Sequence, residues 1–314
     1  MSAPFVDRSD GAPLLAGATQ LEFHRPPSAS RYMFRAVLPT SRERNLAPRI
    51  VARWIGCRPS AQEVAEFRRI TGADARDDDP TALPFLYPLT VGFRLSMAVL
   101  THPRFPVPIW GVLQTRNHVT QHRRIPTGAS LDFETHVLPA RVVSKGAEFD
   151  LRTNVHVDGD LAWESVVTFF ARGRFGEPDA ASTSARSPSD VGDAIAEWTM
   201  ADADHARFCR FTGDYNGIHL WDWYARRMGF RRALYHPQRV LGLCLARLPA
   251  PGLRTTSPAG EKLDAWIKGP VPHGARVRLQ ASTSPTSTTF ALFADDGARP
   301  AIVGRLHATE PDRP

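Results

Sequence analysis

Apolar residues recur at helical spacing in two short stretches that resemble each other. Val64, Phe67 and Ile70 follow Ser60 and Glu63, whose separation of three is a capping-box signature. A helix is therefore expected from Ser60, with Gly72 as its stop. The second stretch, from about Ala203 to Phe211, ends in the same way at Gly213. A longer and more apolar helix is expected after each, over Val91 to Leu100 and Val240 to Leu248. Downstream the period shortens to two. Phe149, Leu151, Val155 and Val157 alternate with polar residues, Asp158-Gly159 marks a hairpin turn, and Ala162 to Arg172 reads as the return strand. Val277 to Leu279, Phe290 to Leu292 and Ile302 to Arg305 repeat the arrangement, with Asp296-Gly297 as the turn. One long helix followed by a strand meander describes an α+β unit, an antiparallel sheet with a helix on one face.

The two units are related residue by residue. Ala65 to Gly72 and Ala206 to Gly213 both fit A-x-F-x-R-[IF]-T-G, 141 positions apart. Ile125-Pro126, Gly128-Ala129 and Leu131 match Val271-Pro272, Gly274-Ala275 and Val277 at an offset of 146. Leu86-Tyr87 is set opposite Leu234-Tyr235 at an offset of 148. Three collinear matches at nearly one offset point to two copies of one fold. The expected organisation is an irregular arm over 1–30, a first half over 31–175, a linker over 176–193 and a second half over 194–314. The linker assignment rests on Gly176 to Asp193, which is rich in Ala, Ser, Asp and Pro and lacks apolar periodicity. The two sheets should join edge to edge, which hides their edge strands.

Composition narrows the class. Of 314 residues, 42% are hydrophobic and 23% charged, which excludes general disorder and a fibrous chain. No apolar run approaches the ~20 residues of a membrane span, and the N-terminus lacks the apolar core of a secretory signal. The three cysteines, Cys57, Cys209 and Cys244, form no metal motif and suit a reducing cytoplasm. The net charge of +7 is carried almost wholly by arginine, with only three lysines among 39 basic residues. No zinc finger, RNA-recognition signature or basic cluster accompanies it, so nucleic acid is not expected. A phosphate-bearing small molecule or an acidic carrier protein fits the charge better. Ser130 and Ser165 lack a nucleophile elbow, which argues against a serine hydrolase.

Candidate chemistry concentrates between Phe211 and Pro237. Asp214 and His219 are five residues apart, and on a regular helix they would not share a face. Gly213 and Gly217 argue for a curled loop instead, one able to aim both side chains into one pocket. An Asp and a His together position a water and move its protons near neutral pH. Residue types alone leave the alternative that Asp214 caps a turn and His219 is a core histidine.

The segment resembles the signature of the MaoC-like, R-specific enoyl-CoA hydratases and dehydratases. Their pattern is roughly [ST]-G-D-x-N-P-[IL]-H, with Ala and Gly-Phe at fixed distances beyond. Thr212, Gly213, Asp214, Asn216, Ile218, His219, Ala225, Gly229 and Phe230 fall in register with it. The resemblance extends over about residues 45–312 and implies a double hotdog, in which each half wraps its sheet around a central helix and the halves form a pseudo-dimer. It implies that only the second half is active, since Ala73 and Asp78 stand where Asp214 and His219 would be. It further implies syn addition of water across a trans-2-enoyl thioester, or the reverse. Asp214 and His219 would hold the water, with Asn216 and Gly213 supporting the loop.

The family usually has His-Gly at the start of the following helix, and that Gly N–H is the oxyanion donor. Here the pair is His236-Pro237, and proline has no N–H. Gly217 replaces the usual Pro, and Trp221 an Asp. The Gln238 N–H and the Tyr235 hydroxyl are the alternative oxyanion donors. Arg231, Arg232 and Lys268 are expected to meet the phosphates of coenzyme A or phosphopantetheine, and Trp110 and Asn117 to line the acyl site. No metal and no separate cofactor are expected, and the sequence leaves room for a homodimer. The leading expectation is an enoyl-thioester hydratase or dehydratase acting on a CoA or acyl-carrier substrate. The alternative is a non-catalytic acyl-thioester binding subunit, with a hotdog thioesterase third.

Overall fold

The computed structural model describes residues 17–36, 38, 45–75, 79–249 and 260–308. The first half contains β1 (Thr19–Phe23), α1 (Ala29–Ala36), β2 (Ile50–Cys57), α2 (Ala61–Thr71) and α3 (Tyr87–Leu100). It continues with β3 (Val112–Gln121), β4 (Leu131–Val137), β5 (Arg141–Val143), β6 (Gly146–Val157) and β7 (Asp160–Arg172). The second contains β8 (Asp193–Thr199), α4 (His205–Thr212), α5 (Asp222–Arg227) and α6 (Pro237–Leu245). Its remaining strands are β9 (Glu261–Ile267), β10 (Arg276–Thr283), β11 (Ser287–Ala294) and β12 (Ile302–Ala308).

All strands among the described residues belong to one sheet of order β1-β2-β4-β6-β7-β3-β9-β12-β11-β10-β8, with β5 on β6. The order β2-β4-β6-β7-β3 of the first half is repeated as β8-β10-β11-β12-β9 in the second. The halves meet where β3 and β9 pair antiparallel, from Arg116 opposite Trp266 to Gln121 opposite Glu261. On the outer face of this seam Arg116 and His118 both contact Asp264, His118 Nδ1 at 2.9 Å. On the inner face Val119 and Leu263 are fully buried.

Each half folds its sheet around one helix. All residues of α3 are buried except Arg94, as its nearly continuous apolar sequence requires. The cap of α2 is the expected reciprocal one: Ser60 Oγ accepts from the Glu63 N–H and the Glu63 carboxylate accepts from the Ser60 N–H. Gly72 and Gly213 end α2 and α4 in the left-handed region, at φ 71° and 70°. The short helices then cross over between halves. A Cβ on Gly242 of α6 would lie 2.8 Å from Thr71 Cβ at the end of α2, and a Cβ on Gly213 would lie 3.0 Å from Arg94 Cγ of α3. Each loop after a short helix is thus braced by the other half's central helix.

Several expectations are corrected. Helix α6 starts at Pro237 rather than Val240, because His236 is its N-cap and proline suits the first helical position. The isolated bridges Ala82–Pro126 and Leu234–Pro272 are equivalent, so Ala82-Leu83 is the counterpart of Leu234-Tyr235. The Leu86-Tyr87 match is a coincidence of residue types; these residues start α3 as His236-Pro237 start α6. The N-terminal arm is not wholly irregular, since β1 pairs parallel with β2 from Thr19 opposite Ile50. The 176–193 segment is pinned at its middle, between Asp179 and Ser184. Ser182 Oγ donates to Glu148 at 2.6 Å, the Thr183 carbonyl accepts from Trp266 Nε1 at 2.9 Å, and a 3-10 turn spans Thr183–Arg186. In the β11–β12 connection the left-handed residue is Asp295, at φ 51°, not Gly297.

Candidate active site

The loop after α4 is built by local hydrogen bonds that its residue types dictate. The Asp214 N–H donates to Thr212 Oγ1 at 3.1 Å, and the Asn216 N–H to Asp214 Oδ1 at 3.0 Å. Asn216 then caps a 3-10 turn over Gly217–His219, its Oδ1 accepting from the Ile218 N–H at 3.2 Å. The turn curls His219 back over Asp214, and His219 Nε2 lies 3.5 Å from Asp214 Oδ2. That is within ion-pair reach but long for a direct hydrogen bond. Both side chains are largely buried, with 9% and 16% exposure. Arg94 holds the loop from the other half. Its guanidinium donates to the carbonyls of Phe211 and Arg210, the last turn of α4, and to Pro27 O at 3.0 Å. A cation there also opposes the negative end of the helix dipole.

The histidine tautomers follow from their partners. His219 Nδ1–H donates to the Leu234 carbonyl at 2.9 Å, which leaves Nε2 facing Asp214. His236 Nε2–H donates to the Asp214 carbonyl at 3.2 Å. The two rings stack at 3.8 Å. Burial alone would raise the Asp214 carboxyl, but His219 beside it and the Asn216 N–H more than offset it. The carboxyl is held well below the usual carboxylate range and stays ionised at neutral pH. Burial and the neighbouring His219 push His236 well below an ordinary histidine, so it is a neutral ring.

Proline at position 237 removes one N–H from the start of α6, where the first helical N–H groups have no intrahelical acceptor. The Tyr235 hydroxyl is already engaged, donating to the Ala201 carbonyl. The backbone N–H of Gln238, second in the helix, keeps the free position. Its side chain leads into the first half: Gln238 Nε2 donates to Gln114 Oε1 at 3.4 Å, and Gln114 Nε2 to Asn117 Oδ1 at 2.6 Å.

No family model matches the chain. Among curated proteins it is 27% identical over 187 residues to 3-hydroxyacyl-thioester dehydratase X of Mycobacterium tuberculosis, a match spanning 60% of this chain and 65% of that protein. The chain thus aligns with just under two thirds of that relative's length. The crystal structure of the same mycobacterial protein superposes with a TM-score of 0.65 at 22% identity, covering 82% of this chain and 99% of that one. A MaoC-like dehydratase from Phytophthora capsici superposes at 0.67 with 16% identity, covering 87% and 99%. The chain has the double-hotdog fold of these dehydratases. The peroxisomal multifunctional enzyme type 2 of Drosophila melanogaster shares the fold at 0.64 and 19% identity over 82% of this chain and 48% of its own length.

Within the MaoC-like fold the remaining candidates disperse. Arg232 is taken by Asp202 at 3.1 Å and Asp222 at 3.4 Å. Lys268 Nζ donates to the Ser184 carbonyl at 3.0 Å and so pins the connecting segment, not the loop. Trp110 Nε1 donates to the Ala36 carbonyl at the end of α1, at 2.7 Å. Arg231 is exposed beyond α5, where its carbonyl accepts from Arg226 Nε at 3.3 Å. Asp222 was not singled out by the sequence, yet its Oδ1 accepts from the Ala233 N–H at 2.8 Å and ties α5 to the strand-like approach to α6. Arg94 was missed as well; the one charge in an apolar helical run was the signal. Ala73, at the place equivalent to Asp214, lies in a 3-10 turn over Ala73–Ala75, and Asp78 is outside the described residues. Donor atoms of Asp214, His219 and His236 lie within 4.8 Å of one another, as do those of Asp202, His205 and His273. Each group pairs its two rings in a stack, at 3.8 and 3.4 Å. Stacked rings send their lone pairs along parallel directions, which does not suit convergence on one ion.

Proposed function

We propose that the chain catalyses reversible hydration of a trans-2-enoyl thioester to a 3-hydroxyacyl thioester. The observation that carries this reading is the Asp214–His219 pair, 3.5 Å apart, with the His219 Nδ1–H committed to a backbone carbonyl. Nε2 then offers a lone pair beside a carboxylate, and a water seated between them has an acceptor for each proton. His219 Nε2 takes one proton as the water oxygen bonds to C3. The same proton is returned to C2 on the same face, and the thioester carbonyl re-forms. Asp214 accepts a hydrogen bond from the second O–H, which stays on the oxygen as the 3-hydroxyl, and stabilises the imidazolium, as its low pKa allows. Dehydration is the reverse, and the reaction balances without a redox or metal cofactor.

The relative named as a 3-hydroxyacyl-thioester dehydratase supports this chemistry. We take the substrate to be a CoA or acyl-carrier thioester, with the exposed arginines around α5 as its phosphate contacts. No helix among the described residues is long and apolar enough to cross a membrane. We place the protein in the cytoplasm, where three buried free thiols remain reduced. Pro237 favours a second reading, an acyl-thioester binding subunit that lacks turnover. Incubation with crotonyl-CoA and longer trans-2-enoyl-CoAs separates the two. Loss of enoyl absorbance supports the enzyme; tight acyl-CoA binding with no loss at any chain length supports the binding subunit.

A further inference from the structure

Asn117 is completely buried on β3, in the strand that the first half contributes to the seam. Its side-chain Oδ1 accepts from Gln114, but its Nδ2 has no partner among the described residues. A buried amide donor without an acceptor is costly, and native structures rarely keep one without use. Its surroundings suggest the use. Gln238, Gln114 and Asn117 form a chain of amides running in one direction, NH₂ to C=O at each step, and the free NH₂ is at its end. The chain begins at the second residue of α6, directly after Pro237. His236, the N-cap of the same helix, stacks on His219. The unpartnered donor is therefore linked, through two side-chain amides, to the helix start that has lost a backbone N–H to proline.

We propose that Asn117 supplies, through Nδ2–H, a hydrogen bond to the thioester oxygen of the bound substrate, standing in for the backbone donor that Pro237 lacks. This rests on the hydratase reading of the site. During attack at C3 the thioester oxygen gains negative charge as the enolate forms, and it loses that charge when C2 takes its proton. A fixed amide donor, held by Gln114 and Gln238, stabilises this charge without reorganising. It also makes the first half, though lacking the Asp–His pair, part of the active site. Removing a single oxyanion donor typically costs 10²–10³ in kcat.

The test uses the whole 314-residue chain in two measurements. The first is kcat and KM on an enoyl-CoA for wild type, Asn117→Leu, Pro237→Gly and the double variant. Asn117→Leu should lower kcat about 10²-fold with little change in KM, and Pro237→Gly in that background should recover at least a tenth of the wild-type rate. A kcat within about twofold of wild type in Asn117→Leu would overturn the assignment. The second is the ¹³C carbonyl resonance of bound [1-¹³C]butyryl-CoA, which is saturated and inert. A donor at the thioester oxygen shifts this signal downfield on binding, and the shift should be lost in both Asn117→Leu and Asn117→Asp. An unchanged shift in folded variants, or no binding of butyryl-CoA by wild type, would overturn the proposal. If wild type shows the shift and the variants lose it, yet no enoyl thioester is turned over, the donor stands and the hydratase reading fails.

Discussion

At the scale of single residues, the site depends on what surrounds Asp214 and His219. Their pairing was legible, because two glycines flank a loop in which a periodic helix would have separated them. What was not legible is the support. Arg94 is 117 positions from the Phe211 carbonyl it holds, and only the fold brings the two together. Pro237 was legible as a missing N–H; the engagement of the Tyr235 hydroxyl by Ala201 was not. Gly217, where the resembling family has proline, has a packing reason. A Cβ there would lie 2.8 Å from Tyr224 Cγ and 3.1 Å from Trp221 Cε3. Gly217→Ala should therefore lower stability by about 1–3 kcal/mol, as overpacking does, and lower kcat by displacing His219. Denaturant midpoints and steady-state rates check both; an alanine variant of unchanged stability would mean that α5 moves aside freely.

At the scale of elements, the short helices and strands were largely readable from period, caps and turns. The misreadings lie where residue types imitate homology. Leu86-Tyr87 repeats Leu234-Tyr235 in letters but not in position, since the bridge to Pro126 is made by Ala82. The connecting segment read as structureless because its hydrogen bonds go to distant Glu148, Val142 and Trp266 instead of to a periodic partner. Arg94 links two elements from different halves, so its removal tests the crossover directly. Arg94→Met leaves the last carbonyls of α4 unpaired and should cost about 1–3 kcal/mol in stability. It should also lower kcat more than it raises KM, because it loosens the loop that holds the water. Arg94→Lys, a single point charge in place of a planar fork, should recover only part of either effect. Stability and kinetics equal to wild type in Arg94→Met would contradict this role.

At the scale of the whole molecule, the halves behave as one unit because β3 and β9 close the sheet and each central helix braces the other half's loop. Buried titratable groups give the assembly a pH dependence of defined sign. His273 is pushed down to about 3 by burial and by His205, and His236 is lowered for a similar reason. The unfolded chain takes up these protons first, so stability is full above about pH 6.5 and declines as pH falls below it. Asp214 and Asp264 are held low by their partners despite burial, so a second loss begins near pH 4, where unfolded carboxylates protonate. Melting temperature measured from pH 8 to pH 3 should fall in these two stages, and His273→Gln should weaken the first; a flat profile above pH 4 would contradict the burial of neutral histidines. The central claim, that a water held between Asp214 and His219 is added to an enoyl thioester, is tested most directly by single-turnover hydration of the best enoyl-CoA substrate by wild type, Asp214→Asn and His219→Gln, with melting temperature recorded for each. Both variants should stay folded and lose about 10²–10⁴ in rate. A folded variant retaining more than about a tenth of the wild-type rate would contradict the mechanism.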